Sequence, residues 1–328
     1  MKNFGLKFLI LTLLLLAVIT VRFDRNDFFI KKYTTQELGD SQYYNNYVDT
    51  FRGADSLIVG APFGYRPLVP YLASFLPFSA GISLNLLNVL IMVITLFVFV
   101  KLLFAFHIRD KIVFWSAVLF IVSFPTFYYS TIGVLDPISM LGTVFCFYLV
   151  VIDKEKHLPM AITLFTFGKE TVVFVLPIIF LYMWIEKKSL KKAIITSVTA
   201  FVFYFAATYI IRNVIYPTDT VYLWEPSFKT LNENLFRPRA IISFVLSLGI
   251  PGFIALFLLV KAMIKKNCDF IRKTFIYYLA LLEFTVLFVY TVFSAYSDGR
   301  FIWPASFFTI LIVAIYYNDY RNKKINCG

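Results

Sequence analysis

The chain has 328 residues, 60% apolar and 15% charged, with 39 Phe, 21 Tyr and 4 Trp, against roughly 45–50% and 25% in an ordinary soluble domain. A soluble fold of this length has too little interior to hide so much apolar surface, and the apolar residues fall in runs of about 15 to 25, the length that crosses a bilayer. The composition therefore excludes a soluble globular protein and predicts an all-α, polytopic membrane protein, in which the meaning of the +12 net charge depends on which loops carry it.

Residues 1–21 place Lys2 and Lys7 ahead of an unbroken apolar run. No small-x-small cleavage site occurs in Thr20-Val21-Arg22-Phe23, so the segment reads as an uncleaved anchor. An outer segment follows over 22–81. Its half-apolar stretch 65–78 is too short to span, is interrupted by Pro67, Pro70 and Pro77, and reads as a helix lying in the interface. Spans are expected at about 82–106, 112–129, 134–152, 158–167, 171–185 and 194–211, then a second outer segment over 212–239, then spans at 240–260, 275–293 and 301–317. That makes about ten transmembrane helices in a single domain, 1–328. The break Gly168-Lys169-Glu170 is too polar for lipid, so the short helices on either side are expected to form a hairpin that turns near a membrane surface.

With the N-terminus inside, the inner segments hold 19 of the 31 Lys and Arg with six acids, and the outer segments hold 12 of each sign. This is the cytoplasmic excess of positive charge that accompanies insertion, and it places both termini in the cytoplasm. Insertion and attraction to anionic inner-leaflet lipid account for the basic balance, which calls for no nucleic acid. Cys146, Cys268 and Cys327 form no CxxC pair and read as free thiols, and His107 and His157 are too scattered for a zinc site. No Walker sequence, dinucleotide fingerprint, HExxH or GxSxG is present.

The concentrated polar signals all fall on the outer side: Asp40, Arg66 after Tyr65, Asp136, Lys169 with Glu170, Arg237 and Arg239, and Asp298 near Arg300. Carboxylates beside several cations at a bilayer edge suit a phosphate head on a lipid tail, the carboxylate taking a proton and the cations holding the phosphate. Each also has a structural reading. Asp40 suits a helix N-cap, and Asp136 before Pro137 suits one better, which is its favoured role. Lys169 and Glu170 can pair with each other, Arg66 and Arg300 can reach lipid headgroups, and Asp298-Gly299 makes a turn. Glu283 is the single ionisable residue well inside a span. Trp224, Trp303 and the tyrosine pairs 43–44 and 128–129 read as interfacial belt residues.

The order of an anchor, Gly39-Asp40-Ser41-Gln42-Tyr43-Tyr44, PFGYRPLVPYLA at 62–73, LDPIS at 135–139, GKET at 168–171 and Arg300 before the last helix resembles bacterial membrane proteins of the GT-C glycosyltransferase superfamily. These are similar to the transferases that build or decorate cell-surface polysaccharide from lipid-linked sugars. The resemblance covers most of the chain as a topology and implies a GT-C-like fold in the bacterial inner (plasma) membrane. It implies Asp40 as the catalytic carboxylate, with Asp49 as the second match, and Arg66, Tyr65, Lys169, Glu170, Arg300 and Asp136 as substrate-binding residues. The implied partners are a polyprenyl-phosphate-linked sugar, a glycan or lipid acceptor and membrane lipid. No cofactor is required, and a divalent cation is left open. Ser41 stands where many members carry a second acid. A lipid-linked oligosaccharide flippase, a polysaccharide polymerase and an envelope assembly subunit are the alternative readings.

Overall fold

The computed structural model describes residues 4–21, 40–54, 59–216, 226–236, 238–294 and 299–326. Arg237, Asp298, Trp224 and Cys327 lie outside the described residues, as does the side chain of Arg239. Among the described residues every regular element is helical: α1 (Phe4–Thr20), α2 (Ser41–Phe51), α3 (Leu68–Ser74), α4 (Ala80–Ala105), α5 (Asp110–Ile121), α6 (Phe124–Tyr129), α7 (Asp136–Val151), α8 (Leu158–Gly168), α9 (Val175–Ile185), α10 (Leu190–Ile210), α11 (Phe228–Leu235), α12 (Pro238–Ile264), α13 (Cys268–Ser294) and α14 (Ala305–Asn326).

A helix lies at each span expected from the sequence. Four of these, Ala80–Ala105, Leu190–Ile215, Ile241–Ile264 and Cys268–Ser294, are long and apolar enough to cross a membrane. The stretch 112–129 is two helices rather than one. Ser123 takes an extended conformation after α5, and Pro125 sits in the first turn of α6, where its missing N–H costs nothing. α12 kinks at Gly249, whose φ of +59° a glycine adopts without strain, and Pro251 two residues later cannot donate to the preceding turn. The interfacial helix expected over 65–78 is shorter. It is the seven-residue α3, preceded by a 3-10 turn at Phe63–Tyr65, because Pro67 sets its start and its last turn closes before Pro77. α3 buries Val69, Pro70 and Ala73 and exposes Tyr71 and Leu72, with Phe75 exposed just after it.

Burial sorts the helices by place. α14 is buried on every side from Ala305 to Ala314 and packs against α12, α13 and α5, so it forms the centre of the bundle. α10 is the opposite case. Only Ala193, Ala200 and Ala207 are buried within it, a stripe seven residues apart that lets neighbouring backbones approach closely. α8 and α9, expected to form a hairpin, both pack along α10. Trp303, Tyr44 and Tyr129 are core residues, not belt residues: all three are fully buried, and Trp303 lies 6.0 Å from the Tyr129 ring. The free thiols Cys146 and Cys268 are respectively buried and exposed.

Ion pairs divide the bundle into two ends. Lys7 with Asp110, Lys187 with Asp153, Lys192 with Glu155 and Lys273 with Asp319 join residues that the sequence assigns to one side. The pairs described next join residues assigned to the other.

Candidate functional site

The site is built where the starts of α2, α7 and α14 meet the end of α8. Asp40 occupies the position before α2 but caps nothing. Its backbone is already helical (φ −43°, ψ −30°) and its side chain makes no capping bond. The carboxylate instead pairs with Arg300. Arg300 is carried by the turn Gly299–Phe301, which is anchored by the Gly299 N–H donating to Ser243 Oγ at 3.0 Å. The same guanidinium lies 4.0 Å from Asp136 Oδ2 and 5.2 Å from the Phe301 ring.

Asp136 corrects the favoured N-cap reading. Leu135 is the cap residue of α7, Asp136 is the first helical residue, and no capping bond forms. Its Oδ1 accepts a 2.5 Å hydrogen bond from Lys169 Nζ, with both side chains almost wholly buried. Burial supplies the reason: a carboxylate with so little water keeps its charge only against a cation. Lys169 follows α8 in an extended conformation (φ −164°, ψ 124°) and is succeeded by a 3-10 turn at Glu170–Phe174. In extended backbone consecutive side chains point to opposite faces. Lys169 and Glu170 therefore do not pair with each other. Glu170 accepts from Arg66 Nε at 2.8 Å and from a second nitrogen of the same guanidinium. Arg66 also donates to Tyr44 Oη at 2.5 Å, and Tyr44 lies one turn beyond Asp40 in α2.

The circuit thus closes from Asp40 through Arg300, Asp136, Lys169, Glu170, Arg66 and Tyr44 back to α2. It contains three carboxylates and three cations. Burial works against the Glu170 charge, but Arg66 overrides it and holds the carboxyl below its ordinary range. Burial likewise works against the Arg66 charge, and Glu170 with Tyr44 holds the guanidinium charged. Lys169 ends below the ordinary lysine range because burial, helped by Arg66 and Arg300, outweighs its attraction to Asp136. Burial pushes the Tyr44 phenol up, so it remains a hydrogen-bonding group without charge.

Arg66, Glu170 and Phe301 border a cavity of about 690 Å³. Its long wall is the face of α13 from Leu279 to Ser294, about 22 Å of helix at 1.5 Å per residue. This wall is aliphatic and aromatic apart from Glu283 near its far end and Thr291 and Ser294 near α13's last turn. Glu170 also lines a much smaller pocket of about 20 Å³, with Tyr65, Thr166, Thr208 and Arg212. Tyr65 is therefore outside the circuit, with the Arg212 guanidinium 4.8 Å from its ring centroid.

Of the residues singled out in the sequence, Asp40, Arg66, Asp136, Lys169, Glu170 and Arg300 converge, and Tyr65 lies alongside. Asp49 does not join them; it faces Arg52 at 3.5 Å, toward the other end of α2. Arg212 was missed. Its only sequence signal is a cation directly after a long apolar run, which marks every span end equally. Among the described residues no three His, Cys, Asp or Glu side chains group as a metal site. No family model, curated protein or solved structure matches the chain.

Proposed function

We propose that this protein is a multi-pass membrane glycosyltransferase of GT-C type, with about ten spans, in the bacterial inner membrane. It moves a sugar from a polyprenyl-phosphate donor to a cell-envelope glycan or lipid acceptor on the outer face. The observation that carries the reading is the circuit of three carboxylates and three cations, with Arg66, Asp136 and Lys169 buried, opening onto a long apolar cavity. A largely apolar cavity with a few convergent polar groups at one end fits an amphiphile with a charged head. The separation of ion pairs into two ends agrees with the inner and outer assignment of the loops.

In this reading Asp40 orients the acceptor hydroxyl and takes its proton as the oxygen bonds to the anomeric carbon. The bond from that carbon to the phosphate oxygen breaks, and the phosphate leaves with the electron pair. Arg300 holds Asp40 in place. The donor tail lies along α13. Glu283 in the cavity wall is the observation that favours the second reading, a lipid-linked oligosaccharide flippase.

The test is transfer of labelled sugar from a panel of polyprenyl-phosphate donors by purified protein in lipid. Turnover that is lost in Asp40→Asn supports the transferase. Folded protein with no turnover on any donor, together with lipid-linked glycan movement that Glu283→Gln abolishes, supports the flippase instead.

A further inference from the structure

The circuit has no net charge to offer a phosphate. Arg66 is held by Glu170 and Tyr44, Lys169 by Asp136, and Arg300 by Asp40, with Asp136 close by. Taking any of these cations for a ligand leaves a buried or half-buried carboxylate without its partner. An arriving phosphate therefore calls for a cation that is not already committed. At this end of the described bundle Arg52 is also committed, bonding the carbonyls of Ala73 and Leu76 and the Ser83 hydroxyl.

Arg212 meets the requirement. It makes no ion pair among the described residues, although it lines the same small pocket as Glu170, because both Glu170 oxygens are taken by Arg66. Its side chain is exposed, and the guanidinium lies over the Tyr65 ring. Contact with the ring face restrains an Arg while its N–H donors can still take a bidentate oxyanion. The local backbone is unusual as well. Arg212 lies in a π-helical turn, Ile211–Ile215, at the end of α10, a helical form that occurs mostly as single turns and often at functional sites. The pocket beneath it holds about one water-sized group, room for a single phosphate oxygen between Thr166, Thr208 and the guanidinium.

We infer that Arg212, held over the Tyr65 ring, is the residue that receives the anionic phosphate of a lipid-borne ligand, at the small pocket that shares Glu170 with the α13 cavity. The inference rests on the transferase reading for its donor, but the chemistry is shared by any phospholipid headgroup, and the test separates the two.

The protein is placed in nanodiscs, and retention of polyprenyl phosphate, polyprenol, phosphatidylglycerol and diacylglycerol is compared by native mass spectrometry. Wild type is expected to retain polyprenyl phosphate at least about tenfold over polyprenol. Arg212→Gln is expected to lose that preference while retaining polyprenol unchanged, and Arg212→Lys is expected to recover only part of it because a lysine neither stacks nor chelates. A phosphate preference that survives in Arg212→Gln overturns the inference and leaves the transferase reading standing. A preference confined to phosphatidylglycerol over diacylglycerol, and lost in Arg212→Gln, supports the inference and counts against a polyprenyl donor. No phosphate preference in folded wild type overturns both. Thermal unfolding of each variant distinguishes lost binding from lost fold.

Discussion

Lys169 and Glu170 are neighbours in the chain, yet their side chains tie together different parts of the molecule. Lys169 reaches Asp136 at the start of α7, and Glu170 reaches Arg66 in the segment before α3. One extended residue between two helical stretches makes this possible, because successive side chains then diverge. The short GKET break is the junction of two ion pairs that tie together the segment before α3, α7 and the end of α8.

The Lys169–Asp136 pair makes a stability prediction. Asp136→Asn or Lys169→Met leaves a buried charge without its partner and is expected to cost about 3–5 kcal/mol. The double variant is expected to recover much of that loss, since no charge is then left unpaired. Thermal unfolding of the four proteins in one detergent forms the double-mutant cycle; additive losses would contradict direct coupling.

Glu170 sets a pH dependence. Its carboxyl titrates below the ordinary value of 4.5 in the folded protein, because Arg66 outweighs burial. A group of this kind stabilises the fold above its unfolded pKa, and the contribution fades as pH falls through the folded one. Wild type is therefore expected to lose stability as pH falls below about 4.5, and Glu170→Gln to lose less over the same range. Melting temperatures between pH 7 and pH 3 measure the difference. Equal slopes would show that other carboxylates govern acid unfolding.

Gly299 is predicted to tolerate no side chain. A Cβ there would lie 2.2 Å from the Ser243 carbonyl oxygen and 2.3 Å from Ser247 Oγ. Backbone cannot yield as a flexible side-chain tip can, so Gly299→Ala is expected to cost about 1–3 kcal/mol. It is also expected to displace Arg300 from Asp40. The check is whether the variant loses transfer at temperatures where it remains folded; full activity would show that Arg300 does not depend on this packing.

Asp40 and Arg300 are expected to act as a unit. Asp40→Asn is expected to lower transfer roughly 10²–10⁴-fold with little change in donor retention. The Arg300→Gln, Asp40→Asn double variant is expected to be little worse than the worse single variant, since both act on one carboxylate. Initial rates and donor retention measured on the same preparations decide this; multiplicative losses would separate their roles.

A helix was legible in the sequence at each apolar segment, but the short helices over 41–51 and 228–235 were not, nor were the partners of the polar residues. Asp136 before Pro137 has every local mark of an N-cap, and nothing nearby in the chain announces that Lys169 and Arg300 lie within reach. Trp303 and Tyr129 carry the composition of interfacial residues, and their full burial follows from where α14 packs. Arg212 shows most plainly why the rest was hidden, since an Arg after an apolar run looks alike whether it meets lipid headgroups or stacks on Tyr65.

The sequence by itself determined the all-helical character and the positions of the apolar segments. A helix satisfies its backbone hydrogen bonds within one stretch of chain, and hydropathy is likewise a property of one stretch. Only the tertiary structure decided which charges face one another. Asp136 and Lys169 are 33 residues apart, and Arg66 and Glu170 are 104 apart. Their meeting depends on how α7, α8 and the segment before α3 pack, and burial then makes each charge depend on a partner that no local pattern specifies.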